Sequence, residues 1–163
     1  MIRIDHPDAG TLSKAGLTRF FNRARAAVGL DGEVEVLLAD DATLRRLNRS
    51  FRNKNKATDV LSFPAAENPD GYAGDLAISL DTAARQADAF GHSLRDEVRI
   101  LLLHGLLHLT GMDHEADRGE MAAREGELRR ELRLPVTLIE RAASGSGSGS
   151  GSARDAARRR RSA

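Results

Sequence analysis

The sequence contains no cysteine and no tryptophan. Without thiols there can be no disulfide framework and no thiolate metal site, so any bound metal must be held by His, Asp or Glu. Aromatic residues are scarce, five Phe and one Tyr, which argues against an extended platform for stacking bases or sugars. Neither sign of charge prevails: 25 Lys and Arg face 24 Asp and Glu, for a formal net charge of +1. No apolar run approaches the ~20 residues that a membrane-spanning helix needs, and the opening MIRIDHPDAG lacks the basic-then-apolar build of a signal peptide. These absences lead us to expect a soluble, cytoplasmic protein. What is present, 163 residues of which 40% are hydrophobic, suffices for one compact domain and not comfortably for two.

The balanced charge conceals two regions. From Ser144 to Ser152 serine and glycine alternate without interruption, and the chain then closes on Arg158, Arg159, Arg160 and Arg161. Residues 144–163 carry a net charge of +4, which leaves −3 for residues 1–143. Ser/Gly alternation cannot bury apolar surface. The expected division is therefore a folded unit over residues 1–142 and a disordered Ser/Gly/Arg tail over residues 143–163. The tail is either inert or a basic arm that adds affinity for a polyanion.

Inside the folded unit the hydrophobic period changes back and forth. Leu17, Phe20, Phe21, Ala24 and Val28 follow helical spacing, whereas Glu33 to Ala39 opens with strict alternation and reads as a strand. Asp40 or Asp41 can cap a helix whose apolar side is Leu44, Leu47 and Phe51. Val60 to Pro64 and Gly74 to Ser79 are short β-type runs, separated by a loop from Ala65 to Gly71. A helix is predicted over Thr82 to Phe90. Ser93 followed by Asp96 signals the start of another over Leu94 to Thr110. That segment is apolar almost all round, which places it at the centre of the core. A last helix presents Met121, Glu125, Leu128 and Leu132 on one side and stops before Pro135. This interleaving predicts a small α+β or α/β domain with one sheet.

The densest chemistry lies in His104-Gly-Leu-Leu-His108-Leu-Thr-Gly111-Met-Asp113-His114. His104 and His108 stand four apart on the predicted central helix, so both imidazoles leave the same face. Gly111 is placed to end the helix in a left-handed conformation, after which the chain can fold back and bring His114 to the other two. Three neutral imidazoles make a tripod for a divalent metal with a fourth position open to water. A lone histidine on an apolar helix is more often a core residue satisfied by its neighbours. The third histidine beyond a helix-ending glycine favours the metal. The spacing equals the metalloprotease pattern H-E-x-x-H-x-x-G-x-x-H, but Gly105 stands where a peptidase has its general base. A metallopeptidase-like hydrolase is thereby reduced to the second choice.

From Ala42 to Thr58 there are six cations, Arg45, Arg46, Arg49, Arg52, Lys54 and Lys56, and no acid. Arg45, Arg49 and Arg52 follow helical spacing opposite the apolar side, giving one cationic stripe. A charge run is usually a solvated face, yet like charges one turn apart cost a few tenths of a kcal/mol each. A stripe without counter-charges points to an anionic partner. A metal that activates water, beside a guanidinium that pairs with phosphate, suits phosphodiester hydrolysis better than peptide hydrolysis.

The string HGLLHLTGMDHE, with LNRSFRNKNKATDVLSFP (Leu47 to Pro64) and GDLAIS (Gly74 to Ser79), closely resembles the YbeY family of bacterial endoribonucleases, also called rRNA maturation factors. The likeness runs in order over nearly all of residues 1–140. It departs at Asn55 and Ala57, where the family usually shows Asp and Pro. The resemblance implies a single α+β domain, a small mixed sheet with about five helices packed around it and the metal site at the end of the central helix. It implies a single-strand-specific endoribonuclease with one Zn²⁺ per chain, acting on the 16S rRNA precursor in 3′-end maturation and in ribosome quality control. His104, His108 and His114 match the family's metal ligands, and Arg52 matches its cleft arginine. The expected site therefore has Arg52 and His114 in the chemistry, and Arg45, Arg49, Arg52, Lys54 and Lys56 on the RNA. Asp113 is expected to orient a ligand imidazole from behind. His6 and His92 are expected to be ordinary polar residues. A third possibility is a ribosome assembly factor whose metal is structural and whose stripe only binds RNA.

Overall fold

The computed structural model of the chain describes residues 1–52, 58–66, 71–113 and 116–135. Its sheet has four strands, β1 (Ile2–Ile4), β2 (Glu33–Ala39), β3 (Val60–Pro64) and β4 (Tyr72–Ser79), in the spatial order β1-β2-β4-β3. β1 runs parallel to β2, and β2 parallel to β4, while β3 folds back antiparallel on β4 with Ser62 opposite Leu76. The helices are α1 (Lys14–Val28), α2 (Asp41–Arg52), α3 (Leu80–Phe90), α4 (Leu94–Leu109) and α5 (Glu120–Glu131). The expected α+β domain with a small mixed sheet and five helices is the observed one.

Alternation along the strands divides the interior in two. Val34, Val36 and Leu38 of β2 and Leu76 and Ile78 of β4 enter the larger core, against Leu17, Phe20 and Ala24 of α1 and the leucines of α4. The intervening Ala77, with Leu61 of β3, turns to the opposite face and meets Leu44 of α2. One sheet thus carries α4 on one face and α2 on the other. Leu102, Leu103 and Leu106 of α4 are fully buried, each contributing about 1.5–3 kcal/mol by leaving water. The sequence-predicted position of α4, in the centre of the core, is the observed one.

Caps settle where the helices begin. The Ser13 hydroxyl accepts from Gly16 N, Ser79 from Thr82 N and Ser93 from Asp96 N, each at 3.1 Å. At α2 the capping carboxylate is Asp40, whose Oδ1 accepts from Thr43 N at 2.9 Å. Asp41 instead reaches α3, accepting from Ser79 Oγ at 2.5 Å, Thr82 Oγ1 at 2.7 Å and Arg85 at 2.9 Å. Phe51 does not continue the apolar side of α2. It is 69% exposed and sets its edge on Phe63 at 5.4 Å between ring centroids, while the neighbouring position Asn48 is buried. β1 and the early start of β4 at Tyr72 are additions to the predicted elements, and α3 begins two residues before the predicted Thr82. The Ser/Gly/Arg tail lies outside the described residues.

Candidate functional site

α4 carries His104 and His108 in its last turns, where the helix runs out of the core. Gly111, at φ +97°, takes the left-handed conformation that ends it, with Gly111 N donating to His108 O at 3.0 Å and Met112 N to Leu107 O at 3.3 Å. The two imidazoles meet through their Nε2 atoms, 3.2 Å apart, with the rings inclined at 74°. Two ligand nitrogens about 2.05 Å from a tetrahedral zinc stand about 3.3 Å apart. The pair therefore fits one edge of a coordination tetrahedron. Among the described residues no group of three His, Cys, Asp or Glu forms a metal cage. His114, the expected third ligand, lies outside the described residues, as do Lys54 and Lys56.

The histidines open into a cleft of about 550 Å³ that also includes Asn48, Arg52, Ser62 and Asp113 in its lining. Arg52, the last residue of α2, donates from Nη2 to the carbonyl of Ser62 on β3 and lies over the Phe63 ring at 5.7 Å. Ser62 in turn donates its hydroxyl to Gly105 O at 3.3 Å. Arg52 is thereby tied, through β3, to the helix turn that carries His104. Cation and imidazoles line one cleft although Arg52 and His104 are 52 positions apart in the sequence.

The rest of the stripe is less committed. Arg45 and Arg49 are exposed on α2, and among the described residues neither forms an ion pair. Asp113 lines the cleft next to the end of α4, its carbonyl accepting from Ala116 N and Asp117 N. A carboxylate from α5 also meets a histidine. Glu125 Oε1 on α5 lies 3.1 Å from His104 Nδ1, and Arg129 Nη2 lies 3.4 Å from the same oxygen. Sequence reasoning sets Glu125 among the core positions of the last helix. Its signal is a carboxylate standing inside an otherwise apolar stripe. His6 and His92 hold the frame elsewhere: His6 Nε2 is 2.8 Å from Asp81 Oδ1, and His92 Nε2 is 3.5 Å from Glu97 Oε2.

Gly105 packs onto the sheet. A Cβ there would stand 2.8 Å from Leu76 Cδ2 and 3.4 Å from Val60 Cγ2. The position that bears a peptidase's general base is thus packed shut.

Comparison with known proteins agrees with this architecture. The sequence profile of the Endoribonuclease YbeY family matches residues 4–133. A protein named Endoribonuclease YbeY from Koribacter versatilis is 58% identical over 130 residues, covering 80% of this chain and 84% of that protein. Another of the same name, from Solibacter usitatus, is 51% identical over 134 residues, covering 82% and 89%. The solution structure of TM1509 from Thermotoga maritima matches with a TM-score of 0.57 at 26% identity, over 93% of this chain and 99% of that one. With the profile, the relatives and the fold in accord along most of its length, the chain belongs to the YbeY endoribonuclease family.

Proposed function

We propose that this protein is a zinc-dependent, single-strand-specific endoribonuclease that acts in the cytoplasm on the 16S rRNA precursor, in 3′-end maturation and ribosome quality control. The observation that carries the proposal is the pair of Nε2 atoms 3.2 Å apart, on histidines that line one cleft with Arg52. Relatives named endoribonucleases support RNA as the substrate. No described helix is long and apolar enough to cross a membrane.

In this proposal His104, His108 and His114 hold the ion. When bound, zinc supplies Lewis acidity and activates water for attack on phosphorus. Arg52 keeps N–H donors beyond the one given to Ser62, and these can pair bidentately with the non-bridging oxygens of the scissile phosphate. Charge growing on those oxygens is met by a guanidinium already anchored, so little reorganisation is needed. Arg45, Arg49, Lys54 and Lys56 take neighbouring phosphates along the strand, and Asp113 orients a ligand imidazole from behind. The peptidase alternative lacks its base, because position 105 is glycine and a Cβ added there would run into Leu76.

The test is cleavage of single-stranded against duplex RNA, with and without chelator. We expect chelator-reversible cleavage of the single strand and about one equivalent of zinc in the purified protein, abolished by His108→Ala. Arg52→Ala should keep the zinc and lose cleavage by a factor of about 10²–10³, the usual loss for one preorganised donor. RNA binding without any metal-dependent cleavage would favour the assembly-factor alternative instead.

A further inference from the structure

Glu125 is buried on α5, and Arg129, one turn further along the same helix, is buried beside it. Placing a carboxylate and a guanidinium out of water is costly, and apolar residues would brace the two helices more cheaply. The pair is instead aimed at an imidazole: Glu125 Oε1 lies 3.1 Å from His104 Nδ1, across 21 positions of sequence, while Arg129 supports the same oxygen. A carboxylate only accepts, so His104 Nδ1 must carry the hydrogen. In the neutral ring this leaves Nε2 with its lone pair directed at His108 Nε2 and the cleft.

We propose that Glu125 is a positioning residue for the metal centre, locking the tautomer and the rotation of His104, and that Arg129 holds Glu125 in place. The proposal rests on His104 and His108 being metal ligands. Glu125 is not itself a ligand alongside them, because it occupies the ring nitrogen on the far side from the His104–His108 contact. Partners of this kind commonly account for 10–100-fold in metal affinity. No residue of α5 lines the cleft among the described residues, so the helix contributes to the site only from behind.

Two measurements on the full chain test this. In the metal-free protein, nitrogen NMR of the His104 ring should report hydrogen on Nδ1 and none on Nε2; the opposite tautomer overturns the proposal without any variant. The second compares zinc affinity, by chelator competition, and the visible spectrum of the cobalt-loaded protein. Glu125→Ala alone strands a buried Arg129. The informative variants are Glu125→Gln, which keeps an accepting oxygen, and the double change Glu125→Met with Arg129→Met, which removes both charges together. We expect the double variant to fold, to bind zinc about 10–100-fold more weakly and to show an altered cobalt spectrum, with Glu125→Gln losing less. Unchanged zinc affinity and cobalt spectrum in a folded double variant would reduce the pair to a helix brace and leave the proposed nuclease intact. A wild-type protein that takes up neither zinc nor cobalt would overturn the ligand assignment and this inference with it.

Discussion

At the scale of single residues, one missing side chain governs what chemistry the motif can perform. Gly105 lets α4 approach β4 until only a hydrogen fits between the helix and Leu76, which is 1% exposed. Replacing Gly by another residue would reward the helix by about 1 kcal/mol, but overpacking costs about 1–3 kcal/mol and a carboxylate buried there adds its own penalty. Gly105→Glu, which restores the metallopeptidase consensus, is therefore expected to lose about 3 kcal/mol or more in urea denaturation and to gain no peptidase activity. A stable, proteolytic variant would contradict the packing described here. His104 and His108 are legible in the sequence because four-residue spacing on a helix is a local rule. Glu125 is not readable as part of the site, since its partner is 21 positions away and only the packing of α5 on α4 joins them. Gly105 reads as the loss of a base; the close approach to Leu76 that requires it is invisible without the sheet.

At the scale of elements, the junction of α2 with α3 shows where local rules stop. Asp40 and Asp41 are equivalent capping candidates by sequence. Ser79, Thr82 and Arg85 decide between them by claiming Asp41. Burial alone would raise the pKa of that carboxyl, but the hydrogen bonds from Ser79, Thr82 and Arg85 outweigh it and hold the group below the ordinary 3.8. A folded-state value below the unfolded one means that the contribution to stability is fully present above pH 3.8 and is lost as pH falls through the lowered value. Asp41→Asn should cost about 1–2 kcal/mol at neutral pH. In denaturation curves collected down the pH scale the gap from wild type should close in acid. A gap that stays constant would show that the charge is irrelevant. Helices with clear caps and periodicity are predictable to within a residue or two. β1 escapes prediction because three residues, Ile2 to Ile4, are too few to display alternation. Phe51 is misplaced by helical phase, which cannot see that its neighbour Phe63 on β3 leaves it largely exposed.

At the scale of the whole molecule, a body of net charge −3 over residues 1–143 gathers cations on the helix that borders the cleft. If Arg45 and Arg49 each neutralise a phosphate, the double change Arg45→Ala with Arg49→Ala should weaken single-stranded RNA binding whatever the sequence. The slope of log affinity against log salt should then shrink by about 1.4, roughly 0.7 for each phosphate no longer neutralised. Fluorescence anisotropy across a salt series reads this directly, and an unaltered slope would return the stripe to the solvent. The tie from Arg52 through Ser62 to Gly105 makes one short strand answerable for two parts of the site at once. Arg52 and His104 come from distant stretches of the chain, and β3, paired with β4, stands between them with a hydrogen bond to each side. A change that loosens β3 is therefore felt together by the guanidinium and by the helix turn that bears the imidazole.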